Sequence, residues 1–375
     1  MSLQLSTAGQ PPLPYQPKWK VAATLPPASN GKPHIGVAGP AAGLHNEVML
    51  VAGGANFPDG LPWLGGKKSY QKQVFVFAQQ ADKSLKLIKT AQLAQPLAYP
   101  AACSTPNGLL VAGGEGDEGI RKEVLLLQWE PGAKKVNTES LPPLPVGITN
   151  GMATSVGQKV FVAGGETKEG VSGAVYMLDF SDIPSGWKQV ATLPIAVSHG
   201  VLLAGQQGGE TQLTLVGGRA RQPNGISILY NDVQVLQLHS LQWEQKSPMP
   251  SAMAAGTGVM LKNGDIILFG GDTGETFSQA EKLIAAIAVE TDEATREKLN
   301  KEKIALQTNH PGFNRTVLFY HNQDGHWSQD NTLPFATPVT TCAVAWNGWA
   351  YLVSGEIKAG VRTPFIQATP LPVLP

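Results

Sequence analysis

The chain has 375 residues with 28 basic and 28 acidic side chains, so its formal net charge is zero. Because no basic excess is present, the sequence lacks the electrostatic footprint of a nucleic-acid-binding domain. No apolar run reaches the roughly 18–20 residues of a membrane span. The 42 glycines and 29 prolines are spread along the chain and indicate many turns. The two cysteines, Cys103 and Cys342, form no metal-type spacing and are interpreted as core residues.

The chain opens with MSLQLSTAGQPPLPYQP, which has neither the charged start nor the apolar centre of a signal peptide. The first recognisable element follows as WKVAATLP, from Trp19 to Pro26. Its pattern is an aromatic or apolar residue, five further residues, and then Leu or Met. Copies begin at Trp187, Trp243 and Trp327, with weaker ones at Leu87 and Lys135. This motif predicts the outer strand of a repeated unit, with the tryptophans packing between units.

A second motif is a short apolar run closed by two small residues. It ends at Gly53-Gly54, Gly113-Gly114, Gly164-Gly165, Gly217-Gly218, Gly270-Gly271 and, in altered form, Ser354-Gly355. The runs read as buried strands, and the glycines allow a sharp bend at each end. Successive copies start 60, 51, 53, 53 and 84 residues apart. A period near about 50 is typical of one four-stranded kelch blade.

The two motifs are out of phase, and the phase predicts how the fold closes. The chain begins with an outer strand, whereas the last repeat lacks one. Trp19–Leu25 should therefore be the outermost strand of the last blade, which removes free sheet edges. We predict an all-β fold: a six-bladed kelch-type β-propeller, one domain over residues 1–375.

The fifth repeat carries a long insertion, which we place at residues 276–312. Ala280 to Val289 shows helical spacing, and Thr291 or Asp292 is suited to cap a second helix from Glu293 to Leu306. Long loops inside compact domains are usually functional. We expect this helical insertion to cover the central face of the propeller, although a structural brace is an alternative.

Loops after the Gly-Gly sites share this face with the residues just ahead of the inner strands, which we expect to be His34, Tyr99, Asn150, His199, Met253 and Thr340. The candidates for ligand binding on it are Asn56, Glu166, Arg219, Asp272 and His199. In the last repeat, VSGEIKAGVRTP, a glutamate and an arginine follow six residues apart, Glu356 and Arg362. Both should lean toward the central axis. A loop salt bridge that stabilises the last blade is the alternative for this pair.

The sequence resembles kelch propellers, and among them the bacterial N-acetylneuraminate (sialic acid) epimerase/mutarotase family. The resemblance rests on LVSGEIKAGVRTPFI, on the insertion between LFGGDTGETF and FNRTVLFYHNQDGHW, on VGGRARQPNGISILYNDVQVLQL, and on the loop after VAGGANF. The blade order looks cyclically permuted relative to familiar members. The resemblance implies an isomerase that interconverts the alpha and beta anomers of N-acetylneuraminic acid, with Glu356 and Arg362 as catalytic residues.

The resemblance further implies a sugar acid as the small-molecule partner, a periplasmic location, and no metal or organic cofactor. No nucleic-acid, membrane or protein partner is indicated. A carboxylate can take the proton of the anomeric hydroxyl, and a guanidinium can hold the substrate carboxylate bidentately. His34, His199 and Asp272 are candidate general acids, and the choice among them stays open.

Other functions on this fold make different demands on the same residues. A non-catalytic kelch module that binds a protein or a glycan through this face is the main alternative. A copper-radical oxidase needs a Cys-Tyr crosslink with His and Tyr ligands, which neither cysteine has around it. A sialidase needs Ser-x-Asp-x-Gly-x-Thr-Trp turns, and the sequence contains none.

Overall fold

A computed structural model describes residues 17–27, 31–207 and 209–372. The N-terminal stretch judged above for a signal peptide therefore lies, up to residue 16, outside the described residues. Within the described ranges the chain forms six four-stranded antiparallel sheets. The inner strand of each sheet contacts the inner strands of both neighbouring sheets, so the sheets close into a ring. The predicted six-bladed kelch-type propeller is confirmed.

The blades are numbered in chain order, and the strands of each run from the central axis outward. Blade 1 consists of Ala41–His45, Val48–Ala52, Gln73–Gln79 and Leu85–Gln92. Blade 2 consists of Ala101–Thr105, Gly108–Ala112, Val124–Glu130 and Lys135–Leu141. Blade 3 consists of Met152–Val156, Lys159–Ala163, Ala174–Asp179 and Lys188–Thr192.

The remaining blades follow the same order, and the last one draws its outer strand from the start of the chain. Blade 4 consists of Val201–Gln207, Glu210–Val216, Val233–Gln237 and Gln242–Lys246. Blade 5 consists of Thr257–Met260, Ile266–Phe269, Thr316–His321 and His326–Thr332. Blade 6 consists of Cys342–Trp346, Trp349–Val353, Phe365–Pro370 and Lys20–Thr24.

The N-terminal strand closes the ring as predicted. Lys20–Thr24 pairs antiparallel with Phe365–Pro370. Trp19 lies edge-on to Phe269 of blade 5 at 5.5 Å and to Phe335 at 5.1 Å between ring centroids. The tryptophan therefore packs between blades 5 and 6, and burial of its ring helps to hold the two ends of the chain together.

The glycine pairs are explained by close contact between neighbouring blades. Both glycines of the first pair have positive φ, and a Cβ on Gly53 would lie 2.2 Å from the Leu97 carbonyl oxygen of the next blade. In the last repeat Ser354 replaces that glycine with φ 56°. Its hydroxyl donates to Thr363 O at 2.6 Å and accepts from Val37 N–H at 2.9 Å. The serine hydroxyl therefore links Val37 of the first repeat to Thr363 of the last repeat, where the ring closes.

The connection between the second and third strands lies on one side of every blade. In blade 5 it holds two helices, α1 (Glu275–Val289) and α2 (Glu293–Thr308), in place of a ribbon. The predicted helical insertion is confirmed, although α1 begins five residues before the predicted segment. The Asp292 side chain caps α2 by accepting from Thr295 N–H. No helix in the described part of the chain has the length and apolar character needed to cross a membrane.

In each of the other five blades this connection contains a two-stranded ribbon. The ribbons are Ala55–Asn56 with Ser69–Tyr70, Glu115–Gly116 with Gly119–Ile120, Glu166–Thr167 with Gly170–Val171, Arg219–Arg221 with Ser227–Leu229, and Glu356–Lys358 with Val361–Arg362. Two short 3-10 helices, Pro62–Leu64 and Ile183–Ser185, complete the described elements. The ribbons and the helical insertion surround one end of the central axis.

Candidate active site

The residue that follows each Gly-Gly site lies beside the residue that enters the inner strand of the same blade. An isolated β-bridge joins the two in all six blades: Ala38 with Ala55, Ala98 with Glu115, Thr149 with Glu166, Ser198 with Arg219, Ala254 with Asp272, and Val339 with Glu356. Glu166, Arg219, Asp272 and Glu356 therefore hold equivalent positions around the axis. In blade 1 the equivalent residue is Ala55. The assignment of Asn56 to this position was one residue out of register, because the sequence alone does not mark where the bridge forms.

The next residue in each blade belongs to a closed ring of backbone hydrogen bonds around the axis. Each N–H donates to the carbonyl oxygen of the preceding blade at 2.7–3.0 Å, through Gly39, Tyr99, Asn150, His199, Ala255 and Thr340. All six residues have positive φ, between 47° and 61°. The sequence suggested His34 and Met253 for blades 1 and 5, whereas Gly39 and Ala255 occupy those places. His199 is a true member of the ring.

A cavity of about 210 Å³ opens between this ring and the helical insertion. Its polar lining includes Glu356, Asp272, Arg219, His199 and His310. Apolar side chains from the insertion and its surroundings line the rest: Phe277, Ala280, Phe313, Leu229, Val339 and Ala359. Four of the seven residues proposed from sequence therefore meet at one cavity. Asn56, Glu166 and Arg362 lie outside its lining.

Glu356 and Arg362 face each other across the two short strands of the blade 6 ribbon. Arg362 Nη2 lies 3.3 Å from Glu356 Oε2, and the Gly360 N–H donates to Glu356 Oε1 at 2.8 Å. Burial raises the pKa of the Glu356 carboxyl above its usual value, while the charge of Arg362 opposes that rise. The carboxylate is thereby made more basic than an exposed glutamate, although it stays paired with a cation.

Arg362 has buried donors that the protein leaves free. Its side chain is 4% exposed, and the guanidinium lies over the Phe57 ring at 4.5 Å. Within the described residues its Nε and Nη1 have no hydrogen-bond partner. Buried polar groups are normally paired, and an unpaired donor costs about 1–3 kcal/mol. Nε–H and Nη1–H leave the guanidinium at different edges, so they can meet two separate acceptor atoms.

Arg219, a ligand-binding candidate from the sequence, makes its ion pairs and hydrogen bonds with other residues of the protein. Its Nη2 lies 3.0 Å from Glu166 Oε1, and its Nη1 lies 3.5 Å from Glu281 Oε1. Nε donates to His199 Nδ1 at 3.3 Å. Burial, followed by the charge of Arg219, holds the pKa of His199 well below its usual value. The ion pair with Glu166 holds Arg219 beside His199, and burial together with the charge of Arg219 favours the neutral imidazole.

Asp272 and His310 stand on the blade 5 side of the cavity. Burial raises the pKa of Asp272, while the Gly274 N–H, which donates to Oδ1 at 2.8 Å, acts against that rise. His310, which follows α2, was missed in the sequence because it lies 38 residues after Asp272 in the chain. The signal that points to it is the His310-Pro311-Gly312 turn at the end of the insertion. His34, by contrast, lies outside the cavity lining.

The insertion is held over the face by two contacts of different kinds. On α1, the buried Glu281 carboxylate accepts from the Ser227 N–H at 2.6 Å and from the Ser227 hydroxyl at 2.9 Å. At the end of α2, Thr308 Oγ1 accepts from Trp63 Nε1 at 2.9 Å. Trp63 belongs to the long loop of blade 1, which also lies against Gly360 of the ribbon that carries Glu356. Blades 1, 4, 5 and 6 therefore enclose the site together.

Fold and site define a six-bladed kelch propeller with a shielded carboxylate–guanidinium pair and a helical cover at one end of its axis. The described residues contain no group of three His, Cys, Asp or Glu side chains arranged as metal ligands. The model of the N-acetylneuraminate epimerase family matches residues 141–372. The chain therefore belongs to the N-acetylneuraminate epimerase family.

Individual relatives agree with this assignment. The chain is 28% identical to an N-acetylneuraminate epimerase of Brucella melitensis over 243 residues, 64% of this chain and 61% of that protein. It is 41% identical to one of Brucella suis over 128 residues, 32% of each chain. A kelch domain-containing protein of Vibrio cholerae is 26% identical over 61% of this chain and 63% of its own length. The matches thus span less than two thirds of these relatives.

Proposed function

We propose that this protein is an isomerase that interconverts the alpha and beta anomers of N-acetylneuraminic acid. Anomers of this sugar acid exchange by opening and reclosing of the ring. Ring opening requires a base for the anomeric hydroxyl and a proton for the ring oxygen. The substrate carboxylate is attached to the anomeric carbon, so the group that binds the carboxylate also positions the reacting atoms.

The observation that carries this proposal is the buried pair of Glu356 and Arg362. The guanidinium has two buried N–H groups without partners among the described residues, and either one can donate to the substrate carboxylate once the cover opens. Glu356 lies 3.3 Å from the same guanidinium and has a raised pKa. A carboxylate bound by Arg362 would therefore bring the anomeric hydroxyl next to the base. General base catalysis of this kind contributes about 10²–10⁴-fold to a rate.

The small volume of the cavity indicates that the helical insertion has to move before substrate can bind. Its volume of about 210 Å³ is below the roughly 300–1,000 Å³ of ordinary ligand sites, so a nine-carbon sugar acid requires more room. One exposed hydrogen bond joins Trp63 in the blade 1 loop to Thr308 at the end of α2. We propose that the helical insertion and the blade 1 loop separate at this contact to admit substrate.

The test follows the anomers directly. Freshly released alpha-N-acetylneuraminic acid is mixed with the protein, and the two anomers are followed by proton NMR. We expect equilibration well above the uncatalysed rate for the wild type. A Glu356→Gln variant, which keeps the shape of the side chain, should lose about 10²–10⁴-fold in kcat. Equilibration at the uncatalysed rate with wild-type protein would rule out the isomerase and favour a non-catalytic kelch module that binds a glycan or a protein.

A further inference from the structure

His310 has a hydrogen bond that fixes the position of its proton. The Gly312 N–H donates to His310 Nδ1 at 3.0 Å. A ring nitrogen that accepts a hydrogen bond carries no proton in the neutral imidazole, so the proton of neutral His310 is on Nε2. Within the described residues Nε2 makes no hydrogen bond of its own. The turn therefore leaves one donor of defined position on a residue that lines the cavity.

The segment around His310 is held against both blades that carry acidic site residues. Asn314 N–H donates to the Gly271 carbonyl at 3.1 Å, directly beside Asp272 of blade 5. Gly312 lies against the Ile357 carbonyl, directly beside Glu356 of blade 6. The His310 ring also packs on Phe313 with 4.9 Å between centroids. These contacts place the imidazole between the two loops that carry Asp272 and Glu356.

The charged groups around His310 act on it in opposing directions. Burial lowers the pKa of His310, the carboxylate of Asp272 raises it, and the ammonium of Lys358 on the blade 6 ribbon lowers it. The other titratable and charged side chains on the cavity wall are Glu356, His199 and Arg219. Burial, the largest of these effects, favours the neutral imidazole, the form in which Nδ1 accepts from the Gly312 N–H and Nε2 keeps its proton.

We propose that neutral His310 donates a hydrogen bond to the ring oxygen while Glu356 acts as the base, a role that rests on the proposed isomerase function. The anomeric O–H proton passes to the Glu356 carboxylate, and the electron pair left on that oxygen forms the new carbonyl bond. The bond between the anomeric carbon and the ring oxygen breaks, and the negative charge that develops on the ring oxygen is stabilised by a hydrogen bond from His310 Nε2–H. The ring oxygen takes its proton from solvent water, and Glu356 releases the proton it received to solvent. Reclosure on the other face of the carbonyl reverses these steps, and His310 keeps its proton throughout.

A pair of matched substitutions tests this role. His310→Asn keeps an oxygen that can accept from the Gly312 N–H but removes the Nε2 donor. His34 offers the control, because its Nδ1 accepts from the Gly36 N–H at 2.9 Å in the same two-residue turn, outside the cavity lining. We expect His310→Asn to lower kcat for anomer exchange by about 10²–10³-fold, and His34→Asn to leave it unchanged.

Binding is measured separately with the methyl glycoside of N-acetylneuraminic acid, which lacks the anomeric hydroxyl and cannot open. Calorimetry should give the same affinity for His310→Asn and wild type, because an interaction made only in the transition state affects kcat and not binding. Full activity of His310→Asn would overturn the role, and so would loss of glycoside binding, which would make His310 a binding residue. A wild type that does not accelerate exchange would instead refute the isomerase function itself.

Discussion

Replacing Arg362 by methionine should change the pH at which the enzyme works as well as its affinity. The substitution keeps a long apolar stem over Phe57 and removes the positive charge 3.3 Å from Glu356 Oε2. Glu356 acts as a base in the deprotonated form, so activity falls as the pH drops through its pKa. That pKa is already raised by burial, and Arg362 is the largest effect that opposes the rise.

The magnitude follows from the distance. Two unit charges 3.3 Å apart interact by about 5 kcal/mol at an effective dielectric constant of about 20. Breaking buried ion pairs costs about 3–5 kcal/mol in measured cases. Loss of this attraction makes the carboxylate less stable, so the pKa of Glu356 should rise further in Arg362→Met. At any given pH a larger fraction of the carboxyl is then protonated.

The assay is the rate of anomer exchange by NMR between pH 5 and 9, with the uncatalysed rate subtracted at each pH. The acid limb of kcat should move to higher pH in Arg362→Met, with activity partly recovered in alkali. Arg362→Lys is the control, because it retains the charge and loses the bidentate geometry. Its acid limb should stay near that of wild type while KM rises. An unshifted limb in Arg362→Met would refute the electrostatic coupling of the two residues.

Two further predictions concern the scaffold. Gly39→Ala should destabilise the protein more than Gly157→Ala in urea denaturation. Both positions have positive φ, 61° and 56°, but a Cβ on Gly39 would lie 2.2 Å from the Tyr99 ring, whereas nothing lies within 4 Å at Gly157. We expect an excess loss of about 1–3 kcal/mol from the clash, and equal losses would contradict it. Glu281→Gln keeps one oxygen that can accept from the Ser227 N–H but replaces the second oxygen, which accepts from the Ser227 hydroxyl, with an NH2 group. The hydroxyl then loses its buried acceptor, which should cost about 1–3 kcal/mol and speed hydrogen exchange in α1 by about 5- to 150-fold. Unchanged protection of α1 would show that its docking does not depend on this carboxylate.

Most of the fold could be predicted from the repeat pattern. Each blade depends on contacts that its own apolar runs and glycine pairs make with the next blade, so the number of blades and the closing strand Lys20–Thr24 could be counted from the motifs. The helical insertion was predictable for the same reason, since helix spacing and the cap at Asp292 are local signals. The six-residue separation of Glu356 and Arg362 likewise predicted that the two side chains would lie near each other.

Register at the central axis could not be read in the same way. Ala55 occupies the place expected for Asn56, and Gly39 and Ala255 stand where His34 and Met253 were expected. A shift by one residue moves a side chain to the other face of a strand. The hydrogen-bond ring between blades decides the register. It joins residues 49–85 positions apart along the chain and, where the ring closes, Gly39 with Thr340, which are 301 positions apart.

The sequence by itself determined which residues form blades, where the ring closes, and which loops share the end of the axis. These properties follow from local periodicity and from the order of the repeats. Tertiary structure alone decided how the candidate residues divide into roles. It pairs Arg219 with Glu166 and Glu281, leaves two donors of Arg362 free among the described residues, and brings His310 to the cavity of Glu356. Burial and pairing of charges depend on contacts between distant repeats, and it is these contacts that set the pKa of each group.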